Sequence, residues 1–268
     1  MVSVVKASGA VEAFDAGKLA SSIARCGVPE SEAWLLAREV ERGLPEEVSS
    51  GEVYARALEL LRERYPACAL RYALRRGIMM LGPEGYPFEK YVAKLLARIG
   101  YAVRTNVVAK GRCISHELDV VAEREGERVM VECKYHNAPG VKVDAKVALY
   151  VHARFLDLSD QFDKAWIVTN TKVTEEAAAY AECVGMRVTA WRYPEGAGLE
   201  KLVEDLRLYP VTVLPSLGES ARRSLLKRGI VTLDDLLRAG PAELAASGLR
   251  PEEAEAAVRE AELLQQLG

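Results

Sequence analysis

Two short segments hold the residues best suited to chemistry: His116-Glu117-Leu118-Asp119-Val120-Val121 and Val129-Met130-Val131-Glu132-Cys133-Lys134. Between them, Glu123 to Arg128 contains a single glycine and reads as a hairpin loop. If Glu123 pairs with Arg128, antiparallel register sets Asp119 directly opposite Glu132. Opposed residues have Cβ atoms about 4.5–5.5 Å apart, and like charges there destabilise a sheet. A one-residue slip would dissolve that alignment. Period-two alternation puts Met130, Glu132 and Lys134 on one face and Val129, Val131 and Cys133 on the other. Two carboxylates beside a lysine at a sheet rim suit phosphodiester hydrolysis. Asp119 and Glu132 would hold Mg²⁺ or Mn²⁺, hard cations that take oxygen ligands, with the Cys133 carbonyl completing the protein side. Lys134 would place the attacking water and offset charge growing on the phosphate. The competing reading is a surface hairpin whose charges only face solvent.

Nearby residues extend the set. A helix starting at Pro87 carries apolar Tyr91, Val92, Leu95, Leu96 and Ile99. Glu89 shares its face with Val92, Ala93 and Leu96. A carboxylate turned to a core is costly unless paired or metal-bound, although a glutamate in a first turn is also favoured by the helix dipole. On the next helix Lys146, Tyr150 and Arg154 form one ridge beside the hairpin. Lys146 is expected at a phosphate or on an exposed face. His136, in a Gly/Pro-containing loop, reads as solvated.

The elements that must position these residues follow from periodicity and punctuation. The 268 residues carry 36 Lys plus Arg against 39 Asp plus Glu, a net charge of −3. A globally basic coat is excluded, so any polyanion contact must be local. No apolar run reaches the roughly 20 residues of a membrane span, and the first residues lack the apolar core of a secretory signal. Five scattered cysteines without a CxxC pair fit a reducing cytoplasm. Turn dipeptides divide the chain into modules at 1–83, 84–208 and 209–268. The first has β-like runs at Ser3–Ala7 and Val11–Phe14, then helices near 16–26, 30–43, 50–65 and 67–80. The third of these opens with a capping box at Ser49 and Glu52. The second module alternates strands (101–108, 116–122, 128–134, 165–169, 187–191) with helices from Pro87 and at 143–157 and 174–184. That order indicates an α/β mixed sheet. The last has helices near 219–228, 232–239, 241–247 and 251–266 and no strand.

Glu89, Asp119 and Glu132-Cys133-Lys134, followed by Ala165-Trp166-Ile167-Val168-Thr169-Asn170 and Thr174-Glu175-Glu176-Ala177, resemble the PD-(D/E)xK nuclease superfamily, with the closest look to its Mrr-like restriction-endonuclease branch. That branch often shows glutamine where this chain has Glu132. The resemblance implies Mg²⁺-dependent cleavage of DNA, with Asp119 and Glu132 at the metal, Lys134 at the water and Glu89 assisting. Val4-Val5-Lys6-Ala7-Ser8-Gly9 with Val11 to Leu19, and Ala69 to Leu74, resemble the ATP-cone domain, which implies regulation by ATP or dATP with Lys6 and Lys18 flanking the phosphates. The family usually has Lys-Arg-Asp-Gly where this chain has Lys6-Ala7-Ser8-Gly9. Leu214-Pro215-Ser216-Leu217-Gly218-Glu219 is similar to a helix-hairpin-helix module, which implies DNA contact by outward-facing amides near Gly218 and by Arg222 and Arg223; a dimerisation role is the alternative. The combined expectation is a multidomain α/β DNA endonuclease gated by an adenine nucleotide. Its alternative is a nucleotide-responsive DNA-binding regulator with a non-catalytic nuclease fold.

Overall fold

The computed structural model describes residues 2–6, 9–138 and 140–267. It divides into two compact units, Met1–Arg75 with Leu263–Gly268, and Arg76–Glu262.

In the first unit β1 (Ser3–Val5) pairs antiparallel with β2 (Val11–Ala13). The hairpin between them closes with the Lys6 amide donating to the Ala10 carbonyl at 2.8 Å; Ala7, the last residue of the expected first run, and Ser8 after it lie outside the described residues. Helices α1 (Ala16–Ala24) and α2 (Glu30–Arg42) follow, then a third strand β3 (Glu47–Ser49), parallel to β1 and absent from the sequence reading. Helix α3 (Ser50–Arg64) begins at the expected capping box: the Ser49 hydroxyl accepts from the Glu52 amide, and the Glu52 carboxylate accepts from the Ser49 amide. Each bond satisfies an otherwise orphaned donor. Helix α4 (Pro66–Met79) leads into the second unit.

The second unit is built on a five-stranded sheet in the order β10-β8-β6-β5-β4. Helix α5 (Tyr86–Arg98) precedes β4 (Ala102–Lys110), β5 (Ser115–Arg124) and β6 (Glu127–Lys134). These three strands run antiparallel. Glu125 and Gly126, at φ 55° and 83°, make the tight turn between β5 and β6; two successive left-handed residues match the twist of a hairpin. After β7 (Lys142–Val143) comes α6 (Ala145–Asp157), a crossover that lets β8 (Lys164–Thr169) lie parallel to β6. Next come β9 (Lys172–Val173), α7 (Glu175–Cys183), the parallel edge strand β10 (Arg187–Thr189) and α8 (Leu199–Leu206). The two-residue strands β7 and β9 pair with each other. Helix α5 lies across β4, β5 and β6. Leu118, Val121, Met130, Ala148, Val151 and Ile167 form one buried cluster that includes the inner face of α6.

The C-terminal helices α9 (Glu219–Lys227), α10 (Leu233–Ala246, kinked at Gly240) and α11 (Pro251–Leu267) match the expected positions. The expected boundaries at 83 and 208 fall inside one unit. The reason is a set of contacts across them: Lys94 and Arg98 pair with Asp235 and Asp234 at 2.8 Å each, and Gly77 lies against Val213. Among the described residues no helix is long and apolar enough to cross a membrane.

Candidate functional site

Glu123 pairs with Arg128 and Val120 with Val131, the register expected of the β5–β6 hairpin. Pairing stops one step before Asp119 and Glu132. There Asp119 turns its Oδ2 to accept the Cys133 backbone amide at 2.7 Å, so the carboxylate takes a donor in the gap where the ladder has ended. Glu132 is 4% exposed, on the face of β6 that meets α6. Its Oε1 receives Lys134 Nζ at 2.5 Å, and its Oε2 receives the guanidinium of Arg154 from α6. Arg154 also donates to the Glu117 carbonyl, which ties α6 to β5 and β6 at one point. Glu89, in the first turn of α5, lies within electrostatic reach of the same cluster.

The electrostatics record the crowding. Burial, then the charges of Asp119, Glu117 and Glu132, push the Glu89 carboxyl up to about 7. Burial and the charge of Glu132 push Asp119 up to about 6, against the opposing pull of the Cys133 amide, Lys134 and Arg154. Burial holds the Cys133 thiol protonated, so its backbone and not its sulfur is the group available to a hard cation. Among the described residues Glu89 feels the charges of Asp119, Glu117 and Glu132, and Asp119 that of Glu132, against Lys134 and Arg154, so acids outnumber cations at the site. Among the described residues no three His, Cys, Asp or Glu side chains meet in a ready-made cage. The donor set is two carboxylates and a carbonyl. This fits Mg²⁺, which keeps several waters and takes one or two carboxylates from a protein.

Residues 82–199 match the family described as Restriction endonuclease, and residues 209–265 match AF1548-like, C-terminal. An uncharacterised protein of Archaeoglobus fulgidus is 44% identical over 171 residues, 63% of this chain and 97% of that protein. The chain belongs to the AF1548-like family. The crystal structure of AF1548, described as a protein of unknown function, is 42% identical with a TM-score of 0.61, over 68% of this chain and all of that one. The MspJI restriction endonuclease, solved with a 27-mer oligonucleotide, is 16% identical with a TM-score of 0.32, over 76% of this chain and 39% of that one.

Within this AF1548-like chain the other sequence-derived residues fare differently. Lys146 is exposed on α6, as is Tyr150 one turn further on. The Tyr150 ring lies 6.0 Å from Lys134 Nζ and 5.4 Å from the Arg154 guanidinium. His136 is not solvated as expected: it is half-buried, its backbone amide donates to Asn170 Oδ1 at 2.9 Å, and its Nε2 is buried without a partner among the described residues. Lys6 and Lys18 converge on Glu12, at 2.7 and 3.9 Å.

The expected outward amides near Gly218 are a correction. The Gly218 amide donates to Glu253 and the Ser216 amide to Glu260, both at 3.2 Å, because α11 brings its own carboxylates to that loop. Arg222 donates to the Leu217 carbonyl and Arg223 pairs with Glu219, both at 2.8 Å. Arg154 is the residue the sequence reading placed only on a ridge. Its signal was present: it falls three residues after Val151 and six after Ala148, both buried, and an arginine on a buried stripe requires a carboxylate.

Proposed function

We propose that this protein is a Mg²⁺-dependent DNA endonuclease that hydrolyses phosphodiester bonds. The observation that carries the reading is the meeting of Asp119, Glu132 and Lys134 where the β5–β6 ladder opens, inside the segment that matches the Restriction endonuclease family. Asp119 and Glu132 would hold the cation, beside the Cys133 carbonyl. When bound, it would neutralise phosphate charge and make water a stronger nucleophile. Arg154, at 8% exposure, holds the Glu132 carboxylate in place. Lys134 is more exposed, at 29% of its side chain. It is the cation free to leave Glu132 and to hold the attacking water or a phosphate oxygen. Tyr150 lies beside this point on α6 and, with exposed Lys146 one turn earlier, would contact the DNA backbone.

The N-terminal unit would bind ATP or dATP as a regulator. Support comes from an open cavity of about 590 Å³ lined by Trp34, Lys18 and Arg38 with Glu12, Asp15 and Glu41, where an indole face is open to a base and both cations would have to leave their carboxylate partners for a phosphate. Incubating the full chain with supercoiled, linear and branched DNA, with and without Mg²⁺ and ATP, tests both parts beside Lys134→Ala. Metal-dependent cleavage that Lys134→Ala abolishes is expected. DNA bound without cleavage by both proteins would favour the scaffold regulator.

A further inference from the structure

Three described residues other than glycine have positive φ: Asn106 (52°), Glu125 (55°) and Arg207 (51°). Glu125 belongs to the β5–β6 turn and Arg207 ends α8, places where left-handed backbone is ordinary. Asn106 is different. It stands in the middle of the nine-residue strand β4, where its neighbours are extended. The β4–β5 register runs Thr105 to Val120 and Val107 to Leu118. Asn106 is therefore level with Asp119, and that step alone is missing from the ladder between Ala102 and Lys110. Asp119 also lacks its ladder partner on the β6 side.

The consequence appears in the core. In a regular strand, residues three apart point to opposite faces. Leu118 and Val121 nevertheless enter the same buried cluster with Met130 and Ile167. The alternation of β5 slips by one residue at Asp119–Val120 while the register on β4 is unchanged, so β4 must absorb the same irregularity, and Asn106 is where its backbone departs from extended geometry. Asparagine is among the non-glycine residues that enter this region at least cost, and such outliers persist when the surroundings over-determine them, often at functional sites.

We infer that Asn106 is a positioning residue: its left-handed backbone opens the sheet on the β4 side of Asp119 and so lets that carboxylate turn to the Cys133 amide and the candidate metal position. The inference rests on the metal-site reading only for its consequence for the cation; the effect on the Asp119–Cys133 hydrogen bond is independent of it.

The test compares Asn106→Gly, which keeps the left-handed region open, with Asn106→Val, which disfavours it. Asn106→Ala, with a smaller penalty, is measured alongside in case the valine variant folds poorly. Amide hydrogen exchange is read at Cys133 relative to Val131 in the same strand, without metal. Mn²⁺ affinity is read by calorimetry. Asn106→Val, and to a smaller degree Asn106→Ala, should speed Cys133 exchange about tenfold relative to Val131 and weaken Mn²⁺ binding by a similar factor, while Asn106→Gly matches the parent in both. Parent-like Cys133 exchange in folded Asn106→Val and Asn106→Ala would overturn the inference. Mn²⁺ binding that is the same in the parent and in Asp119→Asn would instead overturn the metal-site reading.

Discussion

Replacing Asp119 with asparagine should make the metal-free protein more stable, and only above mildly acidic pH. Asp119 has its carboxyl raised from an ordinary 3.8 to about 6, even with the Cys133 amide, Lys134 and Arg154 all favouring the charged form. A group raised in the folded state costs stability once pH exceeds its unfolded value. The cost grows until pH passes about 6 and is constant beyond it. At about 1.36 kcal/mol per unit, the shift corresponds to about 3 kcal/mol. Partial exposure of the carboxylate to water screens this to about 1–2 kcal/mol. Asparagine keeps an oxygen for the Cys133 amide and removes the repulsion with Glu132 and Glu89. Thermal melts followed by circular dichroism in chelator should show the variant about 3–6 °C above the parent at pH 8. The gap should close towards pH 4. Added Mn²⁺ should raise the parent midpoint and leave the variant's unchanged. A variant less stable than the parent at pH 8 would refute the reasoning, because it would mean that the hydrogen bond to Cys133 outweighs the crowding of charge.

Arg154→Met leaves buried Glu132 with only Lys134 and should cost roughly 3–5 kcal/mol by urea denaturation, most of it recovered in Arg154→Met/Glu132→Leu. Asp157 is held below the usual carboxylate range by His116 and by the Cys113 and Ile114 amides. Its contribution is complete at neutral pH and is lost as pH falls below about 4, so Asp157→Asn should lower the thermal midpoint at pH 7 and converge on the parent in strong acid. A Cβ at Gly77 would stand 2.6 Å from Val213 Cγ1. Gly77→Ala should therefore lower the urea midpoint, because overpacking of about 1–3 kcal/mol exceeds the roughly 1 kcal/mol that alanine adds to a helix.

What could be read from the sequence was local in origin. A single glycine between two alternating runs set the β5–β6 register, and Ser49 with Glu52 marked the start of α3 within one residue. Strands β3, β7 and β9 have three residues or fewer, too short to carry a period. Helix α8 follows Pro194-Glu195-Gly196-Ala197-Gly198, which reads as loop, and at eight residues it offers barely two turns of pattern. The amides near Gly218 look outward in sequence because the glutamates that cap them, Glu253 and Glu260, come from a helix more than thirty residues later. The irregularity at Asn106 is a property of three strands acting together, and one asparagine in a strand-like run does not announce it.

The two cations on Glu132 divide the work by burial. Arg154 is buried and bonded both to the Glu132 carboxylate and to the Glu117 carbonyl, so moving it would break two bonds and take a partner from a buried carboxylate. Lys134 has one such bond and a stem partly in water, so its departure costs less than that of Arg154. On the proposed reading an incoming phosphate displaces lysine and not arginine. With Lys134 turned to an incoming phosphate, Glu132 faces Asp119 with only Arg154 between the acids and neutrality. On the proposed reading that imbalance, opened in the sheet beside Asp119, is what a divalent cation would relieve, and it explains why a fold would keep a carboxylate that costs it stability.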